Sequence, residues 1–406
     1  MVELNDIIAA YRTARANKRR TSDQTDFELH WEEGCLRLCM EINQRCLRPT
    51  AYTFVTTRPR PREVFASDMA TRVLHHYIDI RLRPLLEKRL SDHTYNNRLG
   101  RGQKACQNAV ISDIYEMSNG FAQDAYIIKL DLRGCFPNIV QDIAYNQLRE
   151  VIEQDYKGSD KDDLLYMLRC VIFSNPTEHC RKVSGMEAWN EIEPSKSLFT
   201  KPAGIGAAIG FLIWQVAVNW YFHELDAYLE SNPEIRFERF VDDIYIVARS
   251  KDALLLIPEI RERLSAIGAR LNEHKFYCQH WSKGAECLGV HIKGARVYLN
   301  TRVVNNAVRA ARHTGRASDA RIERVLSSLN SYLGMAKQTC GYNQIMKIVN
   351  ALPKGWAEYM ELNPRRMVLT AKRGHAYRER YARKFNLIPK RYGCKDTTPT
   401  LGGKAA

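Results

Sequence analysis

Residues 238–250, ERFVDDIYIVARS, place two adjacent carboxylates, Asp242 and Asp243, between two apolar runs. β-Branched and aromatic residues dominate both runs, so the pattern predicts two β-strands joined near the acidic pair. Burying two like charges side by side costs several kcal/mol unless a positive charge lies between them. A divalent cation meets that need, because hard cations prefer carboxylate oxygens. A solvated turn is the alternative interpretation of this segment taken alone.

Composition limits the partners that the chain can have. The 406 residues carry a net charge of +15, with 45% hydrophobic and 26% charged residues. These values predict a globular protein of two or three subdomains with a polyanionic partner, most commonly nucleic acid. A basic protein without a specific partner is the alternative. No apolar run reaches the roughly 18 residues of a membrane span, so no membrane association is expected.

The cysteines and the first residues bear on the cellular compartment. The eleven cysteines form no CxxC pair and no regular framework, which indicates reduced thiols rather than disulfides or a zinc site. The charged start, MVELNDIIAAYRTARANKRR, does not resemble a secretory signal. We therefore expect a cytoplasmic protein.

Helical and extended patterns alternate along the chain. Apolar residues three and four apart predict helices over residues 1–50, whereas the alternating segment RPTAYTFVTTRPRPREVFASD predicts an extended ribbon. A Gly/Arg loop and a helix follow in TYNNRLGRGQKACQNAVISDIYEM. Strands are predicted in AYIIKLDL, near Phe276 and in AECLGVHIKG, and the pattern from residue 300 onward is helical and basic.

A third carboxylate, Asp131, lies in the predicted strand YIIKLDL. If this strand lies beside the hairpin, Asp131, Asp242 and Asp243 meet at one edge of a sheet. Such a trio can hold two Mg²⁺ ions, which activate an attacking 3′-hydroxyl and stabilise the transferring phosphoryl group and the leaving pyrophosphate. Positioning and electrostatics carry the catalysis of such a transfer.

The order and spacing of these motifs resemble those of the reverse transcriptases. FVDD, residues 240–243, resembles the family's aromatic-x-Asp-Asp motif, and Phe136 stands five positions after Asp131, as in the family's first aspartate motif. The resemblance implies an α+β right-hand polymerase fold with fingers, a palm of antiparallel sheet with helices on one face, and a helical thumb. The implied divisions are an N-terminal helical extension at 1–50, fingers at 51–125, palm at 126–298, thumb at 299–390 and a flexible tail at 391–406.

The resemblance also implies roles at the metal site. Asp131 and Asp242 would ligate two Mg²⁺ ions directly, with Mn²⁺ as a substitute, and Asp243 would be the more peripheral ligand. The backbone carbonyl of Leu132 would add a further ligand. Lys275, in LNEHKFY, would donate a proton to the leaving pyrophosphate as general acid. A solvated lysine is the alternative.

Further positions are implied for the nucleotide and the nucleic acid. Phe136 would be the steric gate beneath the sugar, and Arg98 would contact the incoming triphosphate, since guanidinium groups match phosphate geometry. Ordinary surface arginines and a core phenylalanine are the alternatives. The nucleotide-binding set is Arg62, Arg72, Arg98, Arg101, Phe136 and Gln215. The template and primer set is Gly206, Phe211, Trp214 and the primer-grip turn Cys287, Leu288 and Gly289, where Gly289 permits a tight bend.

Other segments resemble one bacterial branch of the family. Trp189 and residues 196–199, KSLF, are similar to the enzymes of diversity-generating retroelements, as is SYLGMAK at 331–337. In those enzymes the Gly-rich turn normally ends in Ser-Gln, whereas this chain has Trp214 before Gln215 and Phe211 after Gly210. We expect the large rings to occupy template space or to stack on a base, with packing inside the palm as the alternative. This departure favours the related "unknown group" enzymes of antiphage defence.

Three hypotheses for function follow. The first is an RNA-directed DNA polymerase of bacterial defence that works with a dedicated, structured noncoding RNA. The second is a diversity-generating enzyme that copies a template repeat with an accessory protein. The third is a non-catalytic RNA-binding scaffold. The partners implied are an RNA template, a DNA product and deoxynucleoside triphosphates, and an accessory protein, a second reverse transcriptase or a homo-oligomer stays open.

Overall fold

The computed structural model describes residues 1–16, 21–56, 61–178, 180–314 and 319–371. It forms two compact units, Met1–Lys283 and Gly284–Ala406. The predicted tail at 391–406 and the end of the predicted thumb lie outside the described residues. The predicted bounds of fingers, palm and thumb stay predictions.

The first unit mixes helices with two antiparallel-rich sheets, and this confirms the predicted α+β class. Its helices are α1 (Leu4–Arg15), α2 (Ser22–Leu29), α3 (Trp31–Asn43), α4 (Met69–Glu87), α5 (Gln103–Met117), α6 (Gln141–Asp155), α7 (Lys161–Ile172), α8 (Leu212–Tyr221), α9 (His223–Glu230) and α10 (Ile257–Ala266). Its strands are β1 (Ala51–Thr56), β2 (Arg62–Ser67), β3 (Tyr126–Asp131), β4 (Cys180–Lys182), β5 (Ile235–Phe240), β6 (Asp243–Ala248) and β7 (Tyr277–His280). Among the described residues, no helix is long and apolar enough to cross a membrane.

The predicted basic ribbon is confirmed as the antiparallel pair β1–β2. β4, from a distant part of the chain, adds to β1 in parallel. The ribbon leads directly into α4, which begins where the Asp68 side chain accepts a hydrogen bond of 2.8 Å from the Thr71 amide. Such an N-cap satisfies one of the amide groups that a helix leaves unpaired at its start. Asp68 therefore fixes the start of α4 directly after the ribbon.

The central sheet has the strand order β5-β6-β3-β7, and all neighbouring strands are antiparallel. Ile244 and Ile246 of β6 join the main core, while Tyr245 and Val247 point to the other face and are equally buried. α5 lies against β5 and β6. The sheet therefore differs in one detail from the predicted palm, since a helix also covers part of its second face. The unbroken apolar run IYIVA explains this, because a strand buried on both faces loses its polar alternation.

The second unit contains two short sheets and a group of helices. Its elements are the strands β8 (Ala285–Cys287), β9 (Val290–Lys293) and β10 (Arg296–Leu299), the helices α11 (Thr301–His313), α12 (Asp319–Lys337), α13 (Tyr342–Val349) and α14 (Trp356–Tyr359), and the strands β11 (Met360–Asn363) and β12 (Val368–Ala371). A separate apolar core joins α11, α12 and α13. The predicted helical character is confirmed, but the hairpin β11–β12 was not predicted.

A buried ion pair joins β5 to the helices α8 and α9. The guanidinium of Arg239, which is 0% exposed, donates to Asp226 through Nε at 2.7 Å and again through Nη2. Its Nη2 also donates to the carbonyl of Asn219 at 2.9 Å, and its Nη1 to the carbonyl of Val241 at 3.3 Å. Every one of these contacts is inside the protein, so removing one partner leaves a buried charge without compensation.

A second buried acidic group lies where α5 meets β5. Asp113 and Glu238 are both buried, and the ring of His93 lies 3.2 Å from Glu238. Burial, and then the charge of Glu238, raise the pKa of Asp113 well above its usual range. The folded protein therefore holds a proton here that the unfolded chain releases.

Replacing Asp226 with Ala should destabilise the protein by about 3–5 kcal/mol, because Arg239 would stay buried and unpaired. The measurement is the urea midpoint of unfolding at constant slope. Glu259→Ala removes the partner of Arg263 in an exposed ion pair and should cost less than about 1 kcal/mol. Equal midpoints for the two variants would contradict the assignment.

Asp113→Asn should flatten the dependence of stability on pH. Because the pKa of Asp113 is raised in the folded state, its contribution to stability is present below the ordinary aspartate pKa and is lost as pH rises through the raised value. The measurement is the melting temperature at about pH 5 and about pH 9. Between these two pH values, the melting temperature of the wild type should fall more than that of the variant. Parallel losses in the two proteins would be the opposite result.

Candidate active site

The three predicted carboxylates meet at one end of the central sheet. Asp131, the last residue of β3, is the register partner of Asp243, the first residue of β6. The two side chains therefore share a face of the sheet. Asp242 lies in the adjoining turn, and its carbonyl accepts a 2.9 Å hydrogen bond from the amide of Leu132. The hairpin predicted from sequence thus brings together the residues that it was expected to bring together.

The turn that carries Asp242 is strained. Phe240 and Asp243 are register partners, so the two-residue loop consists of Val241 and Asp242. Val241 has φ +57, a left-handed conformation that a β-branched residue adopts only at a cost of about 1–2 kcal/mol. The buried guanidinium of Arg239 holds the Val241 carbonyl at 3.3 Å. The buried ion pair therefore fixes a backbone conformation that the local sequence disfavours.

The electrostatics of the site are dominated by three neighbouring carboxylates, of which Asp131 is buried and the other two are half-buried. Burial, followed by the charges of Asp243 and Asp131, raises the pKa of Asp242 to about 6. Burial also raises the pKa of Asp243, although Lys129 opposes that shift. Each group would release its proton more readily if a cation were present beside it.

Two lysines and an asparagine pair with these carboxylates. Lys275 Nζ lies 2.6 Å from Asp131 Oδ1, and Asn272 donates to the other oxygen at 3.0 Å. Lys129 Nζ lies 3.2 Å from Asp243. Lys275 was predicted as part of the site, whereas Lys129 and Asn272 were not. The available signal for Lys129 was its position two residues before Asp131 in an otherwise apolar strand, which places both on one face.

The donor set fits a divalent metal ion by its chemistry. The groups at this edge are carboxylates, which hard cations prefer. Burial and the two neighbouring carboxylates raise the pKa of Asp242, and a cation beside it would oppose that shift. Within the described ranges, no three His, Cys, Asp or Glu side chains are already arranged around a common point. The lysines occupy the carboxylates of Asp131 and Asp243 instead. The predicted metal ligands stay predictions.

The predicted steric gate lies in a well-held loop. Phe136 begins a 3₁₀ turn, Phe136–Asn138, and its half-buried ring packs on the main core. The Phe136 carbonyl accepts from the Ala207 amide at 2.8 Å, and the Ile139 carbonyl accepts from the Gly206 amide at 2.7 Å. The predicted Gly-rich turn around Gly206 therefore binds the loop at residues 136–141, which we call the gate loop. The φ of +105 at Gly206 requires glycine.

The predicted residues at the start of helix α8 differ in burial. Gln215 is half-buried, whereas Phe211 and Trp214 are only 1% and 2% exposed. The ring of Phe211 packs against that of His75 at 4.8 Å. The two large rings thus do not offer a stacking surface to a base, and the alternative of packing inside the palm describes them. The reason is that α8 lies against α4 and α6, which enclose most of its surface.

The four predicted arginines differ widely in exposure. Arg62 is exposed, and Arg72 is half-buried and donates to the Ser67 carbonyl at 3.2 Å. Arg101 pairs with Asp92 at the surface. Arg98 is buried instead.

Arg98 is held by its own loop. Its guanidinium donates to Glu87 at 2.9 Å and to the carbonyls of Ser91 and Thr94 at 2.6 and 3.0 Å. This geometry does not favour the predicted contact with a triphosphate, because the donors point into the protein. Arg98 instead orders the loop that presents Arg101.

The predicted primer-grip turn is a tight hairpin in the second unit. Cys287 and Val290 are register partners, so Leu288 and Gly289 form a two-residue loop. Both have positive φ, +46 and +86, as such hairpins require. The predicted bend at Gly289 is confirmed, and its role towards a primer stays a prediction.

Comparison with known proteins addresses the family. Among solved structures, apo telomerase from Candida tropicalis, truncated from its C-terminal domain, is similar over 62% of this chain and 55% of that chain, at 13% identity and a TM-score of 0.45. Telomerase from Candida albicans in complex with a TWJ fragment of telomeric RNA is similar over 80% of this chain and 60% of that chain, at 12% identity and a TM-score of 0.46. The chain thus spans 55% to 60% of the length of these two telomerase chains.

The curated proteins contain no match to this chain. A family profile described as reverse transcriptase (RNA-dependent DNA polymerase) matches residues 59–292, which is more than half of the 406 residues. The matched range includes the carboxylates, the gate loop and the Gly-rich turn. The chain therefore belongs to the reverse transcriptase family.

Proposed function

We propose that this protein is an RNA-directed DNA polymerase that adds deoxynucleotides to a 3′-hydroxyl. The observation that carries the proposal is the pairing of Asp131 with Asp243 across β3 and β6, with Asp242 in the adjoining turn. A structural role alone does not account for three carboxylates at one buried sheet edge, because their mutual repulsion lowers stability. Membership of the reverse transcriptase family supports the same conclusion.

Asp131, Asp242 and Asp243, with the backbone carbonyl of Leu132, would hold the divalent metal ions. Two such ions, Mg²⁺ or Mn²⁺, supply the positive charge that an oxygen nucleophile and a leaving pyrophosphate require. Lys129 and Lys275 balance the carboxylates from the protein side.

The other residues of the site bind and orient the substrate. The Lys275 side chain is 45% exposed, and its ammonium carries a proton that a leaving pyrophosphate can accept. Phe136 presents a half-buried ring from a loop that backbone hydrogen bonds join to the Gly-rich turn, which suits a rigid steric test of the sugar. Arg62 and Arg101 remain candidates for phosphate contact at the surface.

The biological role that we propose is bacterial antiphage defence with a dedicated noncoding RNA. The support is the replacement of the usual Ser-Gln pattern by Trp214-Gln215, with Phe211 after Gly210. Both rings belong to the main core, so the departure alters the packing at the start of α8, where Gln215 is half-buried. The net charge of +15 suits a large RNA partner.

Diversity generation is the second candidate, and the segment from Trp189 to Phe199 favours it. This segment resembles the enzymes of diversity-generating retroelements, and it is ordered against β2 through Glu63. An accessory protein would be expected in that case. The two roles differ in product.

Sequencing the product distinguishes these roles. The protein is purified with the RNA that it carries, and each deoxynucleotide is supplied singly and together with Mg²⁺. A product that repeats a short unit, or needs only one or two nucleotides, supports defence. A long copy with adenine-directed errors supports diversity generation instead.

Asp242→Asn should reduce nucleotide incorporation at least about a thousandfold, because it removes a charge that the metal ions need. RNA binding, measured by filter retention, should stay within about twofold of the wild type. Asp124→Asn removes an exposed carboxylate and should retain activity. Wild-type protein that binds RNA but makes no product would favour the non-catalytic scaffold.

Phe136→Ala should raise incorporation of ribonucleotides relative to deoxynucleotides by about tenfold or more, because the ring that meets a 2′-hydroxyl is removed. The measurement is the ratio of kcat/KM for the two nucleotide types. Phe173→Ala truncates another half-buried ring, one that packs on Tyr145, and should leave the ratio unchanged. An unchanged ratio in Phe136→Ala would remove the gate role.

A further inference from the structure

Glu63 is a charged residue on the inward face of the ribbon. It shares that face of β2 with Phe65 and Ser67, and it is only 4% exposed. The period of two in a strand would call for an apolar residue here. A buried carboxylate costs free energy unless hydrogen-bond donors surround it. Its donors therefore indicate what the residue holds.

The Trp189 ring, the Ser197 hydroxyl and the Leu198 amide, which donate to Glu63, belong to one distant segment. Oε1 accepts from Trp189 Nε1 at 2.8 Å and from Ser197 Oγ at 2.9 Å, and Oε2 accepts from the Leu198 amide at 2.7 Å. Charge-assisted hydrogen bonds of this length are among the strong ones. We call residues 186–201 the buttress segment. Glu63 fixes its position on the ribbon.

Aromatic contacts reinforce the same junction. The ring of Phe199 lies 6.1 Å from that of Phe65 and 6.2 Å from that of Trp189, in an edge contact with the latter. Lys182 Nζ lies 4.6 Å over the Phe199 ring. The buttress segment is thus attached to the ribbon by a carboxylate and by ring packing.

The buttress segment in turn contacts the gate loop, residues 136–141, both directly and through the Gly-rich turn. A Cβ on Gly206 would lie 2.5 Å from Leu198 Cδ2, so the two are in close contact. Gly206 and its neighbour Ala207 donate to carbonyls of the gate loop at 2.7 and 2.8 Å. Lys201 Nζ donates to Asn138 Oδ1 at 2.7 Å. An unbroken series of contacts therefore runs from Glu63 to the loop that carries Phe136.

We propose that Glu63 is a positioning residue, which holds the gate loop through the buttress segment and thereby sets the discrimination between deoxyribonucleotides and ribonucleotides. This inference rests on the proposed function of Phe136 as the steric gate. It assigns to the buttress segment, which joins β4 to the Gly-rich turn, a role in substrate selectivity. The Phe136 ring can exclude a 2′-hydroxyl only if the backbone of the gate loop does not move away from the nucleotide.

Glu63→Gln is the informative substitution. Whichever way the new amide is turned, its NH₂ group faces a donor, because both oxygens of Glu63 accept hydrogen bonds. The control is Glu193→Gln, which removes the same charge from an exposed position of the buttress segment. Both variants keep the size of the side chain, so cavities do not complicate the comparison.

Hydrogen exchange of the full chain tests whether Glu63 holds the gate loop, and it does not require enzymatic activity. In Glu63→Gln, peptides covering 136–141 and 204–207 should exchange about tenfold faster, since their shared hydrogen bonds open more often. Peptides from β3 should be unchanged, as should all of these peptides in Glu193→Gln. Exchange equal to the wild type in 136–141 would overturn the proposal.

The ratio of kcat/KM for ribonucleotides to that for deoxynucleotides tests whether Glu63 affects the selectivity for the sugar. Glu63→Gln should raise this ratio about fivefold, and in a Phe136→Ala background it should add little, because both changes act through one ring. An unchanged ratio, or effects that multiply in the double variant, would overturn the role in selectivity. If Phe136→Ala alone leaves the ratio unchanged, the proposed gate fails, and the exchange result still decides whether Glu63 orders the loop.

Discussion

The mutual repulsion of three carboxylates at the end of the central sheet is the main constraint on the residues around them. Asp131, Asp242 and Asp243 lie together on the strand ends and their turn, and burial with mutual repulsion raises the pKa of Asp242 to about 6. Lys129 and Lys275 compensate part of this charge. The protein thus maintains an arrangement that is unfavourable by itself, as functional sites commonly do.

The backbone beneath these carboxylates is fixed from behind. Val241 takes a left-handed conformation, and Arg239 holds its carbonyl while paired to Asp226 inside the core. A fully buried ion pair adds little net stability. Separating its two charges is costly, however, so Arg239 and Asp226 keep their relative positions. The buried ion pair therefore holds the strained turn in place, and the turn in this conformation orients Asp242.

Glu63 shows how differently a buried carboxylate can be treated. The buttress segment donates three hydrogen bonds to its carboxylate, so its charge is satisfied within the protein. The charge of Asp242 is compensated less completely, and a cation can complete its environment. A carboxylate thus holds the buttress segment at the ribbon in one place, and in the other it belongs to the proposed active site at the sheet edge. The difference lies in the donors that surround each group.

The sequence by itself determined the strand that carries Asp131 and the two strands beside Asp242 and Asp243, because apolar runs and the position of an acid within them are local signals. The meeting of these acids stayed conditional in the sequence and was decided by the pairing of β3 with β6. It also determined the bend at Gly289, since such a turn needs positive φ. Tertiary structure decided that Arg98 faces inward, that Phe211 and Trp214 are buried, and that Lys129, Asn272 and Glu63 belong to the networks around the site. Most of these outcomes depend on partners far away in the chain. A local pattern states what a residue can do, whereas burial and partners, fixed only when distant segments pack, decide what it does.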